Sequence, residues 1–97
     1  MSWADNYIEK LLRGESIQFR PRGNSMTPKI KSGQLVSVDP VNRDIVVGDI
    51  VLCKVSGNQY LHIVNAIDKD RFQIKNAHGR INGWTRTIYG ILTKVEP

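Results

Sequence analysis

Cysteine is almost missing from this sequence. Cys53 is the only one in 97 residues, which excludes an intramolecular disulfide framework and any multi-cysteine zinc site. Long apolar runs are missing too: none approaches the roughly 18 residues that a membrane-spanning helix requires. The opening residues, Met1 to Asn6, offer neither a basic n-region nor an apolar h-region, so no secretory signal is expected. There is no internal repeat, no low-complexity segment and no linker-like stretch. These absences lead to the expectation of one cytoplasmic domain over residues 1–97, with no membrane span, no metal and no cofactor.

What is present fits a folded chain. Hydrophobic residues make up 40% and charged residues 24%, near the globular norm, and a chain of this size buries about two-thirds of its unfolded surface. Fourteen Lys and Arg against nine Asp and Glu give a formal net charge of +5. The excess is local. Residues 69–94 contain Lys69, Arg71, Lys75, Arg80, Arg86 and Lys94 against Asp70 alone, which accounts for all of it. Such a segment attracts nucleic acid or another anionic partner. It equally serves as a solvated face, and no block of basic residues or base-reading motif sharpens the first reading.

Residues 3–13 place Trp3, Tyr7, Ile8, Leu11 and Leu12 at helical spacing, with Gly14 as the stop. Trp3, Tyr7 and Leu11 are expected to form the buried stripe. Residues 16–95 read as short strands: 16–20, 35–38, 49–55, 59–67, 71–75 and 87–95. Ser56-Gly-Asn makes a hairpin turn between the third and fourth. The pattern predicts a mostly β, barrel-like domain behind one helix. Residues 20–29 and 76–84 read as loops. Cys53 reads as a small core residue, Trp84 as a packing residue, and Asp68 and Asp70 as solvated turn residues.

One constellation has chemical potential. Ser25 lies in a loop between Gly23 and Pro28, a setting able to present a hydroxyl and turn an amide N–H toward the same point. His62 interrupts an apolar strand, Tyr60-Leu-His-Ile-Val, sharing a face with Tyr60 and Val64. Such surroundings keep an imidazole neutral, the form that acts as a general base. Taken singly, a loop serine and a strand histidine are each commonly structural.

The order of these residues carries more. Gly23-Asn-Ser-Met-Thr-Pro, Lys31-Ser-Gly-Gln-Leu-Val, Val47-Gly-Asp-Ile-Val-Leu and Tyr60-Leu-His-Ile-Val follow one another. This succession resembles the LexA/signal-peptidase superfamily of serine peptidases, whose pattern is G-x-S-M-x-P, two G-D-x-V segments and a base one hairpin later. The resemblance runs from about residue 16 to 95. It implies coiled β-sheets around an SH3-like barrel core, and peptide-bond hydrolysis with Ser25 as nucleophile on an extended peptide or protein substrate. Gly23, Met26 and Pro28 match the nucleophile loop, Gly33 the first G-D segment, and Gly48 and Asp49 the second. The base position, lysine in LexA-like repressors, falls on His62, as in the archaeal and endoplasmic-reticulum signal peptidases. Lys54 lies before the hairpin turn and does not match. The backbone N–H groups of Ser25 and Asn24 would hold the oxyanion.

Two departures restrict what the resemblance implies. Gln34 replaces the acid of the first G-D segment, a tolerated surface change. The acid that follows Lys-Gly-Asp in histidine-type signal peptidases has no counterpart in Lys75-Asn-Ala-His-Gly, which leaves Asn76, His78 or Asn82 as candidates to orient His62. Only 22 residues precede Gly23, and no Ala-Gly or Cys-Gly dipeptide occurs, so neither a fused helix-turn-helix domain nor self-cleavage at those dipeptides is expected. The competing reading is a peptidase-fold binding module without chemistry, in which segment 69–94 and Trp84 contact peptide, partner protein or nucleic acid. A third is a subunit to which another chain donates an anchor or a missing group.

Overall fold

The computed structural model describes residues 2–97; Met1 of the expected 1–97 unit lies outside them. Helix α1 covers Asp5–Leu12, shorter at both ends than the 3–13 that the spacing predicts. At its start Ser2 Oγ and the Ser2 amide donate to the Asp5 carboxylate at 2.8 and 2.9 Å, which holds Trp3 and Ala4 in a turn. At its end Gly14, with φ 85°, donates to the Leu11 carbonyl, and the Glu15 amide reaches back to Lys10. That paired closure is a Schellman motif, which suits a residue free to adopt positive φ. The buried stripe is Ala4, Ile8 and Leu11, with Tyr7 half-buried. Trp3 is 51% exposed, contrary to expectation, because it precedes the first helical turn and leans on Phe19 from the solvent side.

Seven strands follow: β1 Ile17–Phe19, β2 Leu35–Pro40, β3 Ile50–Val55, β4 Asn58–Asp68, β5 Arg71–Lys75, β6 Ile81–Thr85 and β7 Ile88–Glu96. All pair antiparallel in one sheet of order β1-β2-β7-β3-β4-β5-β6. The β3–β4 turn places Ser56 and Gly57 at φ 50° and 85°, between the paired Val55 and Asn58, as a two-residue type I′ hairpin requires. β6 corrects the expectation of a loop over 76–84. The Asn76 side chain accepts from the amides of His78 and Arg80, and this tight turn returns the chain alongside β5. Asn and Gly in Ile81–Thr85 conceal the strand from a propensity reading.

Bulges at Ser37/Val38, Leu52/Cys53, Val64/Ala66 and Ile74/Lys75 interrupt the ladders. Bulges add local twist and bend a sheet, and here it curls far enough for Thr85 Oγ1 at the end of β6 to donate to the Lys54 carbonyl of β3. No ladder joins β1 to β6 among the described residues. The architecture is therefore a coiled, mostly antiparallel β-sheet with one helix. Around the expected SH3-like barrel core, no ladder closes the sheet among the described residues.

Two hydrophobic clusters occupy the two faces of β3. Leu52 joins Leu61, Ile63, the helix and the β1–β2 residues, together with Met26 and Ile30. Val51, Cys53 and Val55 join Val64, Ile74 and Ile91. Each such side chain contributes roughly 1.5–3 kcal/mol by leaving water. Where β7 crosses β2, Gly90 permits a close approach: a Cβ there would lie 2.6 Å from the Asp39 carbonyl oxygen and 2.7 Å from Val38 Cγ1.

Gly90→Ala is expected to lower stability by about 1–3 kcal/mol through this overpacking, read from the urea unfolding midpoint; an unchanged midpoint would contradict the close approach. Burial pushes the Cys53 thiol up to about 12, so it stays protonated at neutral pH. It should resist a thiol-specific disulfide reagent in the native protein and react fully in denaturant.

Candidate functional site

Ser25 sits in the connection between β1 and β2, and several bonds shape its surroundings. Gly23, at φ 103°, donates its amide to Ser32 Oγ at 3.1 Å. The Gly33 amide donates to the Pro21 carbonyl, and the Ile30 amide to that of Met26. Met26 and Ile30 are buried and anchor the loop in the core beneath an exposed Ser25. The segment before β6 holds the loop from the other side: the Ala77 amide donates to the Ser25 carbonyl at 2.9 Å, and His78 Nε2 donates to that of Asn24 at 2.8 Å.

His62 approaches from the middle of β4, paired with Val51 across the hairpin. It is 7% exposed, its ring stacks on Tyr60 at 4.8 Å, and Nε2 lies 3.2 Å from Ser25 Oγ. Nδ1 lies 2.8 Å from Asn82 Oδ1. An amide oxygen accepts only, so Nδ1 carries the proton and Nε2 presents a lone pair to the serine hydroxyl. Burial, opposed by the bond to Asn82, holds the imidazole below its ordinary 6.5. Both ring nitrogens have partners, and no buried side-chain polar atom lacks one among the described residues.

Asn82 owes its position to the β6 bulge. Lys75 pairs with Ile81 and Ile74 with Gly83, so Asn82 has no partner across the ladder and its side chain turns to His62. Of the three candidates for orienting His62, the structure brings only Asn82 to the ring. Asn76 is committed to its own turn, and His78 is turned away to Asn24 and, at 3.5 Å, Thr27 Oγ1. The Tyr60 ring lies beside His62 as strand alternation predicts, whereas the Ala77 amide was not singled out by sequence reasoning. A backbone donor leaves no signal in residue type.

The G-D positions lie around the site. Gly48 donates its amide to the Val64 carbonyl at 2.9 Å. Asp49 takes both Arg43 guanidinium nitrogens at 2.9 Å and the Val46 amide, and these contacts, Arg43 first, hold its carboxyl below the usual range. The pair pins the chain entering β3, opposite the strand that carries His62. Gln34 Oε1 accepts the Lys31 amide at 2.7 Å. The basic segment 69–94 is partly neutralised: Arg71 pairs with Asp68 and lies over the Trp84 ring, and Arg86 pairs with Asp70. Trp84 is 42% exposed instead of packed, since β6 ends the sheet.

Ser25 and His62 open onto a cavity of about 500 Å³ between α1, β1, the serine loop and the start of β4. From Asn58 to His62, β4 pairs only with β3, and β5 joins at Ile63, so this stretch of β4 has no ladder on its other edge. Among the described residues, no group of His, Cys, Asp and Glu could hold a metal ion, and no helix is long and apolar enough to cross a membrane.

Neither a curated protein nor a solved structure matches the chain significantly. Its relationship rests on the family model described as Peptidase S24-like, which matches residues 5–82 and so takes in Ser25, His62 and Asn82. With the match covering most of the sequence and the chain folded as a helix and a coiled antiparallel sheet, this peptidase-fold protein belongs to the Peptidase S24-like family.

Proposed function

We propose that this protein is a serine endopeptidase in which Ser25 is the nucleophile and His62 the general base. The observation that carries the reading is the chain of contacts from Ser25 Oγ through His62 to Asn82, at 3.2 and 2.8 Å, around a buried neutral imidazole. Ser25 Oγ attacks the peptide carbonyl while its proton passes to Nε2; the imidazolium then returns the proton to the leaving amine, and water repeats the sequence on the acyl-enzyme. Asn82 supports this by fixing the tautomer. It supplies no charge to the imidazolium, so its arrangement resembles the Cys-His-Asn form of the triad.

The oxyanion donors are the amides of Ser25 and Asn24, which donate to no acceptor among the described residues. Peptide planarity orients the first. The Asn24 carbonyl accepts from Thr27 N, Thr27 Oγ1 and His78 Nε2, and in a trans peptide the Ser25 N–H points the opposite way. An extended substrate would add to the unpaired edge of β4, where main-chain hydrogen bonds supply affinity. The reading assigns the activity to the cytoplasm, supported by a single unpaired cysteine.

Ser25→Ala and His62→Ala should each reduce cleavage of a mixed peptide library on the order of 10³-fold or more, measured by mass spectrometry with circular dichroism verifying the fold. Cleavage undiminished in either variant would sink the dyad. Because the base must be neutral and burial lowers its pKa, kcat/KM should stay level from high pH down past 6.5 and fall only below it. Asn82→Asp places a carboxylate beside Nδ1 and should move that acid limb upward by about one pH unit or more; an unmoved limb would remove Asn82 from the mechanism.

A further inference from the structure

The cavity beside Ser25 has a lining that proton transfer does not require. Its wall against α1 and β1 is a cluster of three rings: Tyr7 stacks on Phe19 at 4.8 Å, and Trp3 lies 5.5 Å from Phe19 and 6.5 Å from Tyr7. Met26, Ile30 and Leu61 complete an apolar interior. The volume falls in the range of about 300–1,000 Å³ typical of ligand sites, and half of Trp3 remains exposed above it.

The charged groups on this lining all have one sign. Arg20, Arg22 and Lys31 stand at the cavity, and no Asp or Glu does. Among the described residues none of the three pairs with a carboxylate side chain, as is also true of Lys10, Lys29, Lys54, Lys69, Lys75 and Arg80 elsewhere on the surface. Arg20 donates to the Gly33 carbonyl at 2.8 Å and to the Pro97 oxygen at 3.5 Å, which leaves Arg22 and Lys31 as the lining cations whose side chains have no hydrogen-bond partner among the described residues. Uncompensated cations around an apolar hollow complement a ligand that is apolar at its centre and anionic at its flanks.

We infer that this cavity selects an acidic peptide with a bulky apolar side chain next to the bond presented to Ser25. The inference rests on the peptidase reading above and adds the substrate class to it. The apolar side chain fills the aromatic-walled hollow and supplies affinity by leaving water. The acidic residues meet Arg22 and Lys31, where exposed and salt-screened pairs discriminate between sequences more than they anchor them.

Binding to the Ser25→Ala protein tests this without turnover, since the change lies on an exposed side chain. The probes are three fluorescein-labelled decapeptides (central Phe with Glu flanks, central Phe with Lys flanks, central Ala with Glu flanks) and an oligothymidylate, followed by fluorescence polarisation. The Phe/Glu peptide should bind about tenfold tighter than either other peptide. Arg22→Gln with Lys31→Gln should abolish its advantage over the Lys-flanked peptide, as should about 0.5 M salt; Trp3→Ala should abolish its advantage over the Ala peptide. Equal binding of the three peptides, binding of none, or tighter binding of the oligothymidylate would overturn the inference. A protein that cleaves peptides with no such selectivity refutes the cavity assignment alone. One that binds selectively, yet cleaves nothing as wild type, refutes the peptidase reading alone.

Discussion

The middle of β3 has no face to give to water. Val51, Leu52 and Cys53 are all fully buried although alternate side chains of a strand point to opposite sides, and the remaining architecture meets that demand. One side is covered by α1, β1 and β2, the other by residues of β4, β5 and β7. A flat sheet of seven short strands cannot cover both, so the sheet coils, with bulges supplying the extra twist. The same demand explains Gly90: β7 must approach β2 and the helix more closely than any side chain allows.

Among the described residues His62 is the one buried polar residue, and it lies on the strand paired to β3. An imidazole there is tolerable because each ring nitrogen has a partner and because the ring remains neutral. These structural conditions coincide with what a general base requires. Packing against Tyr60 and bonding to Asn82 restrict the ring to one orientation, with Nε2 toward Ser25. The cations of the chain divide in a similar way. At the β5–β6 end Arg71 and Arg86 pair with Asp68 and Asp70 while Lys69, Lys75 and Arg80 pair with no carboxylate among the described residues, and at the cavity Arg22 and Lys31 are likewise without one.

Much of the fold was legible in local pattern. Alternation marked six strands to within a few residues, Gly14 marked the helix end, and Ser56-Gly57 marked the hairpin. β6 escaped because Asn82 and Gly83 look like loop residues and its pairing partner, β5, supplies what propensity does not. Trp3 and Trp84 were read as packed, since size suggests burial, but both lie where the structure runs out of neighbours to cover them. The aromatic cavity was also illegible: Tyr7 comes from α1, Phe19 from β1 and Trp3 from the turn before the helix, and the sequence does not encode their docking locally.

At the candidate site the division has a clear physical origin. The sequence by itself determined the family pattern, the loop conformation that needs Gly23, and the face of β4 on which His62 lies, because these depend on neighbours along the chain. Only the tertiary structure decided which of Asn76, His78 and Asn82 reaches the imidazole. That choice depends on a one-residue bulge in β6, and shifting register by one residue sends a side chain to the other face. The register is in turn constrained by Gly83, where a Cβ would come within 3.1 Å of Val55 on β3. A contact between strands so far apart in the chain exists only once the sheet has coiled.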